Sequence, residues 1–401
     1  MKIGIIGCGA AGMMAAITAT KNGHIVTVFE SNDSAGKKLL ATGNGKCNYT
    51  NFEMNESFYN NDGKALFNDV YNRFDINETL KFFEEIGIYP LNKNGYYYPR
   101  SEQAVSVVRC LREKINKLGV NVKYNSKVDR IIKNDKFIVC CNNNNFEFDR
   151  IIVCAGSNAN PSTGSDGSGY GLAIKLGHFV KKPLPSLCGL KCSGDEFKYI
   201  SGVRCHAKVT LFCDDLEIKS DEGELQLTDY GLSGIPVFQL SGEALRLLDA
   251  GGDIQINVDY IPEFSYEELT TVLCERINNL KDSKMNRLLD GLINSKVAEN
   301  AIKTCGYNLD ENIIKYNKDT LVSDLINSLK LKKYTVKGHR GFDNCQVCTG
   351  GVVCEEIKST LESKIIEGLY FAGEILDVDG MCGGYNLQWA WSSGYVAGLL
   401  E

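Results

Sequence analysis

No apolar run in this chain approaches the length of a membrane-spanning helix, and no charged leader with a cleavage site stands before its first strand. A cytoplasmic protein is therefore the expectation. Basic charge is not in excess: 44 Lys and Arg stand against 50 Asp and Glu, a formal net charge of −6. There is no global pull towards nucleic acid, and any such binding must come from a local patch. The 16 cysteines lack the spacing of a disulfide framework and read as reduced thiols, mostly small core residues. Cys345-x-x-Cys348 has no second pair, which argues against zinc, and no metal site is predicted. Repeats and low-complexity tracts are missing, apart from Asn142 to Asn145, which reads as a hairpin turn.

What remains is an ordinary globular composition, 43% hydrophobic and 23% charged, in 401 residues. That is too long for one simple core, so two or three domains are expected. The most informative stretch is the first thirty residues. Ile3 to Ile6 make a short apolar strand; Gly7-Cys8-Gly9-Ala10-Ala11-Gly12 completes G-x-G-x-x-G; a helix follows to Asn22, with Gly23 placed to end it. A second apolar run, Ile25 to Phe29, ends on Glu30. Gly7 allows a tight turn, Gly9 a close approach to pyrophosphate, and Gly12 close packing of helix on strand. The helix N-terminus offers N–H groups and partial positive charge to phosphate. Glu30 can accept the ribose hydroxyls and would repel a 2′-phosphate, which suits FAD or NAD better than NADP.

Residues 31 to 51, SNDSAGKKLLATGNGKCNYTN, carry Lys37, Lys38 and Lys46 among Gly36, Gly43 and Gly45, and are expected to touch the cofactor. Cys47 has no cysteine partner within ten residues, so a flavin-linked redox disulfide is not expected there. Residues 77 to 86 read as an amphipathic helix with Leu80, Phe83 and Ile86 inward. Ser101 is a candidate cap for a longer helix burying Ala104, Val107, Val108, Leu111, Ile115 and Leu118. Tyr96 to Tyr98 read as a half-buried strand in preference to a stacking surface. Val120 to Phe148 read as a meander, leading to a buried strand from Arg150 to Gly156. The Gly-rich loop after it lacks the context of a second phosphate site and reads as closing over the first.

Composition shifts after Leu187. Short strands alternate over 188–262; helices follow over 263–330, opened by a Ser265/Glu268 capping box with Leu269, Val272, Leu273, Ile277 and Leu280 inward. The expected domains are 1–187 with 341–401, an inserted β domain of 188–262 with about 331–340, and a helical cap of 263–330. Lys330, Lys332, Lys333, Lys337, His339 and Arg340 are the best candidate surface for a phosphate-rich partner such as RNA. GLYFAGE (368–374) reads as a strand ending in Gly and an acid. A Gly-rich turn and a small-residue helix follow, and Gly383, Gly384, Tyr385 and Asn386 at that helix N-terminus form a second site for developing negative charge.

The chain resembles, from end to end, the YhiN/BaiN-like FAD-binding flavoproteins, also labelled the aminoacetone oxidase family. The resemblance is carried by GxGAAGxxAA, KKLLATGNGKCNYTN, IIVCAGSNANPSTGSDGSGYGLA, TDYGLSGIP, TVKGHRGFD with TGGV, and ESKIIEGLYFAGEILDVDGMCGGYNLQWAWSSGYVAG. The Cys345/Cys348 pair departs from the family pattern of Ala and Thr. The resemblance implies an α/β fold: a glutathione-reductase-like, Rossmann-type FAD domain built from both chain ends, with an inserted β-barrel and a helical cap. It implies tightly bound FAD, held by Gly7, Gly9, Ala10, Ala11, Gly12, Glu30, Ser31, Lys38, Leu39, Thr42, Gly43, Asn44, Gly45, Lys46, Cys47, Asn48 and Val128. Ala155, Gly156, Gly373, Glu374, Asp377, Gly383, Gly384, Tyr385, Asn386 and Leu387 complete that set.

NAD(P)H is expected to dock transiently, reduce the flavin and leave before substrate enters. Members of the family are connected with reduction of C=C bonds, in a uridine of large-subunit ribosomal RNA or in bile-acid-like steroids. The uridine is the leading expectation, with a small enone reductase, an amine (aminoacetone) oxidase and a non-catalytic FAD-containing assembly factor as alternatives. Cys47 is a candidate acid, or else a small apolar residue under the flavin; Cys382 is the second candidate acid.

Overall fold

Ile3 to Ile6 are buried on both faces because their strand, Lys2–Ile6, is the middle of a five-stranded parallel sheet. The strands run in the order Leu369–Phe371, Arg150–Val153, Lys2–Ile6, Ile25–Phe29 and Asn121–Lys123. One strand of this sheet therefore comes from the far end of the chain. The computed structural model describes all 401 residues. They divide into Met1–Pro185 with Phe342–Glu401, and Ser186–Gly341.

In the first unit, the first helix, Ala10–Lys21, packs along the last, Tyr385–Leu399. The approach is close. A Cβ on Gly394 would stand 2.4 Å from the Ala11 carbonyl oxygen, and one on Gly398 2.8 Å from that of Ala15. Trp389 and Trp391 on the last helix are fully buried, and their indole N–H groups donate to the carbonyls of Gly373 and Tyr49. Gln388 is fully buried too: its oxygen accepts from Thr50 Oγ1 (2.6 Å) and its nitrogen donates to Thr79 Oγ1 (2.8 Å) and Ser392 Oγ (2.9 Å).

Several local expectations shift. Asn121–Lys123 leaves the expected meander and joins the edge of the parallel sheet beside Ile25–Phe29. The cause is the left-handed Asn125 (φ 50°) and the Asn125 and Ser126 N–H groups, which donate to the carbonyls of Asn32 and Glu30. The meander itself is Val128–Lys133, Phe137–Cys141 and Asn144–Phe148. Asn142 and Asn143 turn its second hairpin, both with positive φ, as a two-residue turn matched to strand twist requires. Ser101 does not cap the helix Ala104–Lys117; the cap position is Gln103, and Ser101 Oγ bonds Ser106 Oγ instead. The helix Ile76–Glu85 is capped by Asp75 and buries Thr79, Phe82 and Phe83, leaving Leu80 and Ile86 at its margin.

The second unit holds a closed six-stranded barrel: Leu190–Cys192, Gly231–Gly234, Leu216–Thr228, Arg204–Cys213, Ile254–Asp259 and Lys332–His339, which pairs back to the first. Period-two alternation (Ile254, Ile256, Val258 buried) fills its interior. The helices Tyr266–Asn279, Ser295–Thr304 and Lys318–Lys330 share a separate core. The Ser265/Glu268 capping box is formed, with both reciprocal hydrogen bonds.

Gly394→Ala tests the helix contact. Alanine gains about 1 kcal/mol of helix propensity over glycine, but forcing a methyl into a filled contact costs about 1–3 kcal/mol. The clash is with rigid backbone, so the expected sign is net destabilisation. Denaturant titration should show a lower midpoint with an unchanged slope.

Candidate dinucleotide and active site

The nucleotide end is built where the strand Lys2–Ile6 turns into the first helix. Gly7 has φ +99°, and a Cβ there would stand 2.4 Å from the Cys154 carbonyl oxygen. A Cβ on Gly12 would stand 2.0 Å from the Gly7 carbonyl oxygen. Nothing lies within 4 Å of the Cβ position of Gly9, which leaves a backbone cradle that a pyrophosphate can approach. No side chain caps this helix, so its first-turn N–H groups, from Ala10 to Gly12, remain for an anion.

Glu30, 6% exposed, ends the second strand. One carboxylate oxygen accepts the Cys8 N–H (2.8 Å), the other the Asn32 N–H and Nδ2 (both 2.8 Å) and the Ser31 hydroxyl (3.3 Å). Asn32 was invisible to motif reading; its amide also donates to the Thr163 carbonyl (3.0 Å), tying the Gly-rich loop after Gly156 to Glu30. Val128 is buried on its strand, and Ala155 and Gly156 (φ +75°) lead from the strand Arg150–Val153 into that loop.

Glu374 is the second acidic anchor. Its carboxylate pairs with Lys38 (2.5 Å) and accepts from Ser157 Oγ (3.1 Å), joining three separate segments. Gly373 lies against the first helix, with a Cβ position 2.8 Å from Ala11 Cβ. Leu39 is buried, and Thr42 donates to its carbonyl (2.6 Å). Gly43 and Asn44 are consecutive left-handed residues (φ 56° and 53°), and the run Gly43 to Lys46 is exposed.

The third element is the turn into the last helix. Gly383 and Gly384 take φ +132° and +95°. A Cβ on Gly384 would stand 2.6 Å from the Thr50 carbonyl and 3.0 Å from Asn48 Oδ1. Asn51 donates to the Gly383 carbonyl (2.9 Å). Asn48 Oδ1 is buried with no donor, an orphaned acceptor at the junction of the two glycine turns. No side chain caps the last helix, which leaves the Tyr385, Asn386 and Leu387 N–H groups at this junction. A glycine cradle, two uncapped helix ends and an orphaned acceptor fit a polar dinucleotide cofactor.

Some expected residues do other work. The Asp377 carboxylate is buried, accepts from Asn60 Nδ2 (2.8 Å) and the Gly350 N–H (2.9 Å), and stands 3.7 Å from Lys181. The Asn386 side chain closes its own loop through Gly380 and Met381, so its backbone alone is available. Lys46 pairs with Glu102, which Lys93 also holds. Cys47 is fully buried in a left-handed conformation (φ 59°), and desolvation pushes its thiol up to about 12. Cys382 is half-buried, and burial raises its thiol too.

The basic cluster divides. Lys330 is buried, its ammonium held by Asp259 (2.8 Å) and the carbonyls of Ile261 and Phe264. Lys332 pairs with Glu196 (3.3 Å). These two are not surface contacts for RNA: both heads are held by the protein's own oxygens. Lys333, Lys337 and Arg340 are exposed, with Arg340 stacked on Tyr230 (4.8 Å). No group of three or more His, Cys, Asp or Glu side chains converges to hold a metal ion.

The residues that motif reading undervalued are Tyr96 and Tyr98. The strand Tyr96–Pro99 turns them towards the two glycine turns: Tyr96 Cε1 is 2.8 Å from the Cβ position of Gly383, and Tyr98 Cε1 3.8 Å from that of Gly43. Three tyrosines in a row signalled a strand; which of them face the site is decided by pairing with Thr50–Asn51.

The family model described as HI0933-like protein Rossmann domain matches residues 1–400. The chain is 38% identical over 402 residues to a 3-dehydro-bile acid delta(4,6)-reductase of Clostridium scindens, covering 99% of this chain and 98% of that protein. It is 31% identical over 407 residues to a ribosomal RNA dihydrouridine synthase of Haemophilus influenzae, covering 98% and 97%. A solved 3-ketosteroid delta1-dehydrogenase from Sterolibacterium denitrificans, in complex with 1,4-androstadiene-3,17-dione, shares the fold at TM-score 0.51 and 13% identity, covering 99% of this chain and 98% of that one. Matched along its whole length, the protein belongs to the HI0933-like Rossmann-domain family and is an FAD-dependent oxidoreductase.

Proposed function

We propose that the protein reduces a C=C bond conjugated to a carbonyl, taking hydride from NAD(P)H by way of FAD, and that its substrate is a small enone of the 3-oxo steroid kind. The observation that carries this reading is the 38% identity over almost the whole chain to a reductase of that class. The uridine reading rests on more distant full-length relatives. It also loses support where Lys330 and Lys332 are consumed internally, since RNA affinity needs free cations at phosphates.

FAD, when bound, supplies two-electron hydride chemistry. The chain's own residues position it and control charge. Ala10 to Gly12 would hold the pyrophosphate through backbone N–H groups, and Glu30 would accept the ribose hydroxyls. The Lys38–Glu374–Ser157 group joins the segments that would meet at the cofactor. The N–H groups of Tyr385 to Leu387 would favour negative charge on the ring system. A single dinucleotide fingerprint implies that the nicotinamide nucleotide visits and leaves. Cys47 is the small packing residue of its two alternatives, because full burial separates its thiol from any proton source.

Glu30→Gln should weaken FAD binding roughly 10–100-fold, the loss of a charge-assisted hydrogen bond of about 1.5–3 kcal/mol. Titration of apoprotein with FAD by fluorescence quenching measures it. Cys47→Ala should keep turnover within about threefold of wild type, since no proton has to leave a buried thiol. A larger loss, with FAD content unchanged, would restore the acid role.

The function itself is tested anaerobically by stopped flow. NADH or NADPH should bleach the flavin, and a 3-oxo-4,6-diene steroid should restore its colour with reduction of one of its two C=C bonds per flavin reoxidised. Restoration by ribosomal RNA with formation of dihydrouridine, and not by the steroid, would move the assignment to the RNA reaction.

A further inference from the structure

We propose that Tyr98 is the proton donor of the reduction, delivering its phenolic proton to the carbon next to the carbonyl as hydride reaches the other end of the double bond. The inference rests on the conjugated C=C reading but not on which substrate carries the bond, because enone and uridine both require a carbon to be protonated.

Position is the first argument. Tyr96 and Tyr98 lie on one face of their strand, and their rings abut Gly383 and Gly43, the two left-handed turns at the proposed cofactor junction. Tyr97 falls on the other face, where it interacts with Tyr49. Tyr96 is 40% exposed; Tyr98 is half-buried. The Tyr98 hydroxyl makes no hydrogen bond within the chain and is not sealed from solvent, so its proton is free to meet a ligand.

Elimination is the second. Cys47 is sealed. Glu374 is held by Lys38 and Ser157, and Asp377 by Asn60 and Gly350. Lys46 and Lys93 share Glu102. His24 lies beside the N-terminal amine, and His178 is closed between Glu356 and Ser363. Cys382, adjacent to Tyr98, and Tyr96, on the same strand face but 40% exposed, are the rivals.

Charge is the third. Burial, with Cys382, Tyr96 and Glu102 nearby, raises the Tyr98 phenol, while the Lys93 ammonium stands 6.0 Å from its ring. A phenol so placed is neutral at physiological pH and has a proton to give.

The balance is simple. Hydride forms a new C–H bond at the β carbon; the π electrons move onto the carbonyl oxygen as an enolate. The enolate α carbon then takes the proton from the Tyr98 oxygen, restoring the carbonyl. Two electrons pass from reduced flavin to the substrate, and water reprotonates the phenolate.

The test uses the FAD-loaded protein, reduced with dithionite and mixed anaerobically with either a 3-oxo-4,6-diene steroid or ribosomal RNA. Tyr98→Phe should keep FAD affinity and the visible spectrum within about twofold, while flavin reoxidation falls about 10²–10⁴-fold, the usual contribution of a positioned acid. Cys382→Ala should lose less than about tenfold. In heavy water the wild type should show a solvent isotope effect on reoxidation and place one deuteron stereospecifically on the α carbon; Tyr98→Phe should lose that stereospecificity.

Wild-type reoxidation rates in Tyr98→Phe, or the full loss in Cys382→Ala, would overturn the assignment. If RNA alone oxidises the wild-type flavin, the steroid reading falls and Tyr98 is judged on RNA by the same criteria. If neither acceptor does so, both proposals fall.

Discussion

The contact on which the site depends is the close approach of the first helix to the last. Gly394 and Gly398 bring the backbone of the last helix against the carbonyls of Ala11 and Ala15. A side chain at either glycine would push the helices apart, and with them two loops. The Gly373–Glu374 turn sits on Ala11, and the Gly383–Gly384 turn sits on Thr50. The pyrophosphate cradle and the proposed flavin junction are thus positioned by one packing event between residues nearly four hundred positions apart.

Buried polar groups keep that arrangement specific. Gln388 is satisfied by Thr50, Thr79 and Ser392, and the indoles of Trp389 and Trp391 are satisfied by backbone carbonyls on different segments. Sliding the last helix by one residue would leave these fully buried groups unpaired, each costing about 1–3 kcal/mol. The same logic explains the acids. Glu30, Glu374 and Asp377 look alike in sequence as acids near glycine turns, yet each is already bonded to backbone or to a cation. Their carboxylates are engaged within the chain.

The barrel and the helical cluster of the second unit obey their own rules: alternation in the strands, a capping box and a three-helix core. Their basic residues show how a linear cluster misleads. Lys330 ends a helix and folds into Asp259, whereas Lys333 and Lys337 point outward from a strand whose neighbouring residues point in.

The glycine fingerprint, Glu30, the buried parallel strands, the Asn-Asn hairpin and the Ser265 cap were legible in sequence because each is a local rule, satisfied within a few residues by backbone sterics or a single hydrogen bond. The same holds for the end-to-end family resemblance, which is itself sequence. Three things were decided by tertiary structure alone. Asn121–Lys123 became a sheet edge because Ser126 and Asn125 bond the segment after Glu30. Asp377 and Asn386 turned inward because distant N–H groups and nearby carbonyls reached them first. Tyr98 came to face Gly43 because Tyr96–Pro99 pairs with both Pro90–Lys93 and Thr50–Asn51. A strand presents alternate side chains to opposite faces, and which face meets the site depends on partners that no local pattern contains.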